Sequence, residues 1–385
     1  MLMQLLWWED ITAEIHSEDE LAGILAHEIT HVASRHISHK IERSAKMNLA
    51  ALAGLVAGIF LGVSGAGEAA NAVSIGSMAA AQSAALSYSR QDEMQADELG
   101  IKYLTDAGYN GVGMLKILKK IRENQWFGSD QIPDYIMTHP AVDARIAYLD
   151  TWIQGHNKNA AVNPQKKDDT FKKIKTRLIS AYGDKAAALK KMKDALEKDP
   201  ENPLANHGYG IALARNDRAK QGVSYVKKAL EKYPFDPGML KDLGEIYFID
   251  GQYKNALQAL KGSAGIEPDD FETLYLLGRT YLELEQYEAA SDSLEKLLEK
   301  RPKYPSALYY LGSAYGKQGK LDKAHYYLAI YYKGKGDFKN AIFHVKQVLK
   351  HSKDPKQKQE AEEILKDARK EKAKEKPGPI KKPFM

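Results

Sequence analysis

Four prolines, Pro200, Pro234, Pro268 and Pro302, fall 34 residues apart. Gly210, Gly244, Gly278 and Gly312 keep the same 34-residue step. Tyr247, Tyr281 and Tyr315 follow the last three of those glycines by three residues, and Ala256, Ala290 and Ala324 repeat in phase. Such a period commits this part of the chain to stacked helix–turn–helix units. Small residues let two helices approach closely, large aromatics fill the groove beside them, and proline ends the second helix because it cannot continue the hydrogen-bond ladder. One unit cannot bury its apolar face alone, so the units must stack.

The pattern Leu-Gly-x-x-Tyr, then a small residue, then proline is the signature of the tetratricopeptide repeat (TPR). About four repeats run from Pro200 to about Gly336. A degenerate half-repeat is expected at about Thr176–Asp199. After Asp337 the register is expected to slip, with Phe338 and Ala341 opening a capping helix. The Lys-rich tail from Lys366, which carries Pro377, Pro379 and Pro383, reads as disordered.

The repeats occupy 171–370, and residues 371–385 form the basic tail. A polar stretch at 156–170, with Asn163-Pro164 and Lys166-Lys167-Asp168-Asp169, reads as a linker. Residues 1–155 form a different, helical domain. The chain has no cysteine, so any metal site must use His and carboxylates. A net charge of +5, scattered over helical faces and the tail, is no nucleic-acid footprint. Residues 1–10 lack the basic start and cleavage site of a signal peptide. Leu49–Val63, broken by Gly54, Gly58 and Gly62, falls short of the roughly 20 apolar residues of a membrane span. A buried or membrane-facing hairpin is the preferred reading, and peripheral membrane contact is compatible with it.

The first domain opens with a helix entry at His16–Glu20, where Ser17 as N-cap and Glu20 three residues on suggest a capping box. Leu21, Ile24, Leu25, Ile29 and Val32 form an apolar stripe, and the helix is expected to reach about Arg43. The Ala-rich stretch 68–86 and a segment from about Leu86 to Ala107 are also expected to be helical, with no strong strand in the domain.

The chemistry sits on the first helix, in His27-Glu28-Ile29-Thr30-His31. Histidines four apart project from one helical face, so both imidazoles can reach one ion. Glu28 beside them is placed to accept a proton from a polarised water and pass it to a leaving amine. A catalytic zinc needs a third protein ligand. The segment Ser89–Asp97 offers Glu93, with Asp97 four residues on to hydrogen-bond a ligand histidine and Ala96 to keep the helix face low. Spacing alone leaves Glu93 open against Asp92 and Glu98. His36 and His39 read as surface residues or neighbours of the ligands, and His207, His325, His344 and His351 as ordinary helix-face residues.

H-E-x-x-H followed by E-x-x-x-D on a second helix resembles the gluzincin peptidases related to HtpX and the CAAX prenyl endopeptidase. The same order followed by TPR repeats is similar to the BepA-like periplasmic branch. The resemblance covers nearly the whole chain. It implies one zinc ion held by His27, His31 and Glu93, with Glu28 as general base and Asp97 as a supporting residue or proton donor. Thr138-His139-Pro140 also matches, which makes His139 a candidate inhibitory fourth ligand. Arg145 is open to two readings, a group that orients a ligand or the substrate oxyanion and a structural partner of Asp143; the structural one is preferred. Family members begin with a signal peptide, a helix and a small sheet lining the cleft. Only about 26 residues precede His27 here, so the domain is read as N-terminally incomplete.

The expected fold is therefore mainly α: a helical metallopeptidase core followed by a TPR α-solenoid. The expected function is a zinc endopeptidase of unfolded or misassembled proteins in periplasmic quality control, with the TPR groove recruiting protein substrates or partners. The alternative is a TPR chaperone or adaptor with a latent peptidase domain.

Overall fold

In this computed structural model the described residues are 15–39, 41, 42, 45, 89–126, 139–156 and 164–374. Leu49–Val63, the stretch 68–86, residues 1–10 and Thr138 lie outside them. Among the described residues all regular structure is helical, and no helix is long and apolar enough to cross a membrane. The chain divides into two units at Lys175 and Thr176.

The first unit contains α1 (Glu18–Ala33), α2 (Arg90–Asp106), α3 (Val112–Trp126) and α4 (Val142–His156). Ser17 caps α1 by accepting from the Glu20 amide. Glu20 does not complete the expected box with Ser17. Its carboxylate instead accepts from the His16 amide at 2.6 Å and from Lys120 Nζ at 2.8 Å. Helix α2 begins at Ser89, later than expected, because Ser89 and Asp92 form a full reciprocal capping box there.

Helix α1 packs against both α2 and α3, and glycines set how closely. A Cβ at Gly100 would lie 3.3 Å from the Ala26–His27 backbone; one at Gly23 would meet Met114 Cα at 2.7 Å. At Gly113 it would meet the Asp19 carbonyl oxygen at 2.3 Å. Ile24, Ile101, Leu104, Met114, Leu118 and Leu149 fill the core between these helices. Burying each such side chain contributes about 1.5–3 kcal/mol.

The apolar stripe of α1 is divided: Ile24 is buried, but Leu25, Ile29 and Val32 are 39%, 59% and 67% exposed. Helix α1 also stops at Ala33 rather than near Arg43. The Ser34 amide closes onto the Thr30 carbonyl, and Arg35 takes a left-handed conformation at φ 55°, after which residues 36–39, 41, 42 and 45 are helical again.

Helix α5 (Pro164–Tyr182) occupies the second half of the stretch expected to be a linker and carries the chain across the division between units. The second unit continues through α6 (Lys185–Lys198), α7 (Pro203–Arg215), α8 (Ala219–Lys232), α9 (Pro237–Ile249), α10 (Tyr253–Ile266), α11 (Phe271–Glu283), α12 (Tyr287–Lys300), α13 (Pro305–Lys317), α14 (Leu321–Gly334), α15 (Phe338–His351) and α16 (Pro355–Lys374). From α6 onwards neighbours in sequence pack together, and from α7 to α13 the first helix of each pair also touches that of the next.

The helical period outlasts the sequence signature. Second helices begin at Lys185, Ala219, Tyr253, Tyr287, Leu321 and Pro355, each 34 residues on. The slip expected after Asp337 is therefore only one residue, at Phe338. The expected half-repeat is a full α5–α6 pair in phase with the rest. Residues 366–374, expected to be disordered, belong to α16.

The repeated small residues act as anticipated. A Cβ at Gly210, Gly244, Gly278 or Gly312 would lie 2.6, 2.6, 2.5 or 2.8 Å from Val226, Leu260, Leu294 or Leu328 of the partner helix. His207 is not an ordinary surface residue: it is buried, and its Nε2 lies 2.9 Å from Asp242, which also accepts from Arg177 at 2.9 Å.

Candidate metal centre

Helix α1 brings His27 and His31 to one spot, with their Nε2 atoms 3.0 Å apart. Helix α2 supplies Glu93, whose carboxylate oxygens lie 3.5 Å from His27 Nε2 and 3.4 Å from His31 Nε2. His139 enters from the turn before α4, where Ala141 has φ 65°. Its Nδ1 lies 3.1 Å from Glu93 Oε1 and 3.5 Å from His27 Nε2. The four donor atoms fall within 4.8 Å of one another, and all four residues are buried. Among the described residues no other His or carboxylate group has this character. The alternatives to Glu93 that spacing left open, Asp92 and Glu98, take other parts: Asp92 caps its own helix, and Glu98 pairs with Lys102 at 3.1 Å.

These side chains fit a zinc ion. Zinc–nitrogen and zinc–oxygen bonds of about 2.0–2.1 Å place tetrahedral donors roughly 3.3 Å apart, close to the separations found. Imidazole lone pairs directed at one another and at a carboxylate repel unless a cation lies among them. Glu28 stands beside the cluster, with Oε1 3.8 Å from His139 Nε2. That oxygen is buried and has no hydrogen-bond partner among the described residues.

A second layer of charge holds the donors. Asp97 Oδ1 accepts from His27 Nδ1 at 2.8 Å, so the Nδ1 proton faces outward and Nε2 faces the cluster. Arg145 donates from Nε to Asp97 Oδ2 at 2.6 Å and from Nη2 to Oδ1 at 2.9 Å. Its Nη1 lies 2.6 Å from Glu93 Oε2. Burial alone would push the Glu93 carboxyl up. The imidazoles of His139, His27 and His31 close around it, with the Arg145 charge, outweigh burial and hold the carboxyl well below the usual range. Asp97 is likewise held low against burial by His27 and Arg145. Both are therefore ionised, the form a metal ligand and its support need.

Arg145 corrects the reading that paired it with Asp143. Asp143 is exposed and meets Arg122 at 3.4 Å, whereas Arg145 is buried on Asp97 and Glu93. His36, read as a surface residue or a neighbour of the ligands, is a neighbour of a ligand. It is buried, with Nδ1 2.9 Å from His31 Nδ1 and Nε2 2.9 Å from Gln95 Oε1. The sequence signal was the Ser34-Arg35 pair after an apolar run, too weak to announce a helix end.

Residues 4–153 match peptidase family M48, and residues 181–237, 247–303 and 293–326 match tetratricopeptide repeat families. A beta-barrel assembly-enhancing protease of Yersinia pestis is 26% identical over 319 residues, 80% of this chain and 63% of that protein. The protein of the same name from Escherichia coli (strain K12) is 23% identical over 73% of this chain and 57% of its own length. A putative one from Vibrio cholerae is 33% identical over 130 residues, 34% of this chain and 26% of that protein. The chain thus spans less than two thirds of the length of these relatives. Residues 4–153 are thus similar to peptidase family M48, in a chain that also matches tetratricopeptide repeats.

Proposed function

We propose that this protein is a zinc-dependent endopeptidase acting on unfolded or misassembled proteins, with the TPR array recruiting substrates or partners. The observation that carries this reading is Glu28 Oε1, buried and without a hydrogen-bond partner among the described residues, beside four donors at zinc spacing. His27, His31 and Glu93 would hold the ion. When bound, zinc supplies the positive charge that polarises a scissile carbonyl and makes water more acidic.

The chain's own residues do the rest. Glu28 takes the proton of the attacking water at Oε1 and delivers it to the leaving amine nitrogen. Asp97 keeps the His27 ring turned so that Nε2 faces inward. Arg145 offsets the two buried carboxylates, which could not stay ionised without a cation beside them.

Recruitment by the repeats is supported by Arg279 of α11. Its guanidinium lies 4.4 Å from the Phe248 ring of α9, 5.6 Å from Tyr275 of α11 and 5.2 Å from Tyr310 of α13. A partly exposed cation and aromatic rings shared by three successive repeats suit a polypeptide segment. The names of the relatives speak of beta-barrel assembly, and work on outer-membrane assembly in the periplasm is part of this proposal.

A second reading has its own observation. His139 completes a four-donor set, and a zinc site with four protein ligands has no open position for substrate. On this reading the domain is latent and the protein acts as a TPR chaperone or adaptor until His139 withdraws.

The test is cleavage of casein by the zinc-loaded chain beside Glu28→Gln. Cleavage by the parent alone supports the peptidase. Equal cleavage by both would remove Glu28 from its role. Zinc bound without cleavage by either would favour the latent reading.

A further inference from the structure

His31 and His27 are oriented by different means. His27 gives its Nδ1 proton to the Asp97 carboxylate, but the Nδ1 of His31 faces another imidazole, His36, at 2.9 Å. Two facing imidazole nitrogens make a hydrogen bond only if one carries the proton. Which one does is decided a step further out, where His36 Nε2 lies 2.9 Å from Gln95 Oε1. An amide oxygen only accepts, so His36 Nε2 carries the proton. A neutral His36 then offers a lone pair at Nδ1 and accepts from His31 Nδ1–H. The lone pair of His31 is thereby left on Nε2, the atom that faces His27 and Glu93.

We infer that His36 and Gln95 are the positioning residues of His31: a neutral relay that fixes its Nδ1–H tautomer and so presents Nε2 to the metal. This rests on the metallopeptidase reading and extends it to residues outside the H-E-x-x-H and E-x-x-x-D motifs.

The backbone supports the assignment. Had α1 continued straight, His36, five residues past His31, would stand about 140° round the helix from it. The chain breaks at Ser34, and Arg35 takes a left-handed φ of 55°. That conformation is strained for a non-glycine residue. The break returns His36 to His31 and buries it. Gln95 lies on α2 between the ligand Glu93 and the His27 partner Asp97. One helix therefore carries a direct ligand and the outer support of both histidines.

The experiment is zinc affinity of the full chain by chelator competition, with His36→Phe, His36→Asn, Gln95→Glu and Gln95→Lys beside the parent. Loss of an outer partner typically weakens metal binding about 10–100-fold, the range expected for His36→Phe. His36→Asn restores an acceptor oxygen and should recover most of that loss. Gln95→Glu, which only accepts, should bind zinc as the parent does. Gln95→Lys, which only donates, should reverse the relay and weaken binding. The relay is wrong if His36→Phe, folded by circular dichroism, binds zinc like the parent, or if Gln95→Lys and Gln95→Glu behave alike. Should His36→Phe not fold, nitrogen-15 spectra of the zinc-loaded parent decide: a protonated Nδ1 on His31 supports the relay, and a protonated Nε2 overturns it. A parent that binds no zinc at all would instead overturn the metallopeptidase reading beneath.

Discussion

Arg145 grips Asp97 with two hydrogen bonds, from Nε at 2.6 Å and Nη2 at 2.9 Å, deep in the first unit. With Nη1 it also meets Glu93, so one guanidinium answers two buried carboxylates. Arg145→Met removes the only Arg or Lys side chain among the described residues that touches both. Breaking a buried pair by removing one partner costs about 3–5 kcal/mol, and a loss of that order is expected in the first unit. Thermal unfolding followed by circular dichroism and zinc content by metal analysis would measure it. Arg145→Lys keeps the charge but not the fork, and should fall between the two. A melting curve of Arg145→Met that overlays the parent's would contradict the role given to this residue.

His139 separates the two functional readings. His139→Ala leaves His27, His31 and Glu93, a three-ligand set with an open position. One zinc per chain should remain bound, and casein cleavage should rise. A fall in cleavage with zinc retained would mean that His139 assists the reaction rather than blocking it.

The close approach of α1 to α3 gives a packing test. At Gly113 a Cβ would sit 2.3 Å from the Asp19 carbonyl oxygen, which is backbone and cannot swing aside. Gly113→Ala should destabilise the first unit by about 1–3 kcal/mol or more. Limited proteolysis would detect this as faster cutting within residues 15–156, with the repeats protected as before. Gly155, with nothing within 4 Å of its Cβ position, is the control: Gly155→Ala should be tolerated.

Much of this centre was legible because helical spacing is a rigid instruction. His27 and His31, like Glu93 and Asp97, are four apart and had to share a face. The links between helices were not. Arg145 had Asp143 two residues away, yet on a helix such neighbours point apart, and its partners came from α2. His36 depends on a break at Arg35 that neither glycine nor asparagine announces. Leu25, Ile29 and Val32 had the periodicity of a core stripe, yet the packed faces of α1 are those of Gly23 and Ala26, where backbones come closest. In the repeats the reverse occurred. Pro355–Lys374 keeps its place in the period after the Leu-Gly-x-x-Tyr pattern is gone, because stacking on α15 requires only an apolar face.

The last pairs carry a pH dependence. His325 and His344 bring their Nδ1 atoms to 2.8 Å, and Tyr332 stacks on His344 at 5.3 Å. Burial, with the neighbouring His325, lowers the pKa of His344 to about 4. The unfolded chain takes up this proton near pH 6.5, but the folded one does not until about pH 4. The unfolded state therefore binds more protons between those values. The stabilising contribution is complete above pH 6.5 and is lost as pH falls towards 4. For a partly exposed ring the effect is on the order of 1 kcal/mol after solvent screening. Melting temperatures from pH 7.5 to 4.5 should fall less steeply in His344→Phe than in the parent. Parallel curves would show that this ring does not titrate as its surroundings require.

Because the helices of the second unit pack on their neighbours in sequence, each junction is indifferent to how many others exist. Length is thus an adjustable quantity in this molecule. Removing or duplicating one 34-residue unit between Pro203 and Tyr304 would shorten or extend the row of rings and charges and leave the remaining junctions as they are. The candidate metal centre, built from α1, α2 and the turn before α4, has no such latitude. The two parts of the chain are under different tolerances to insertion, and the reading surface can be retuned at a pace the chemistry cannot share.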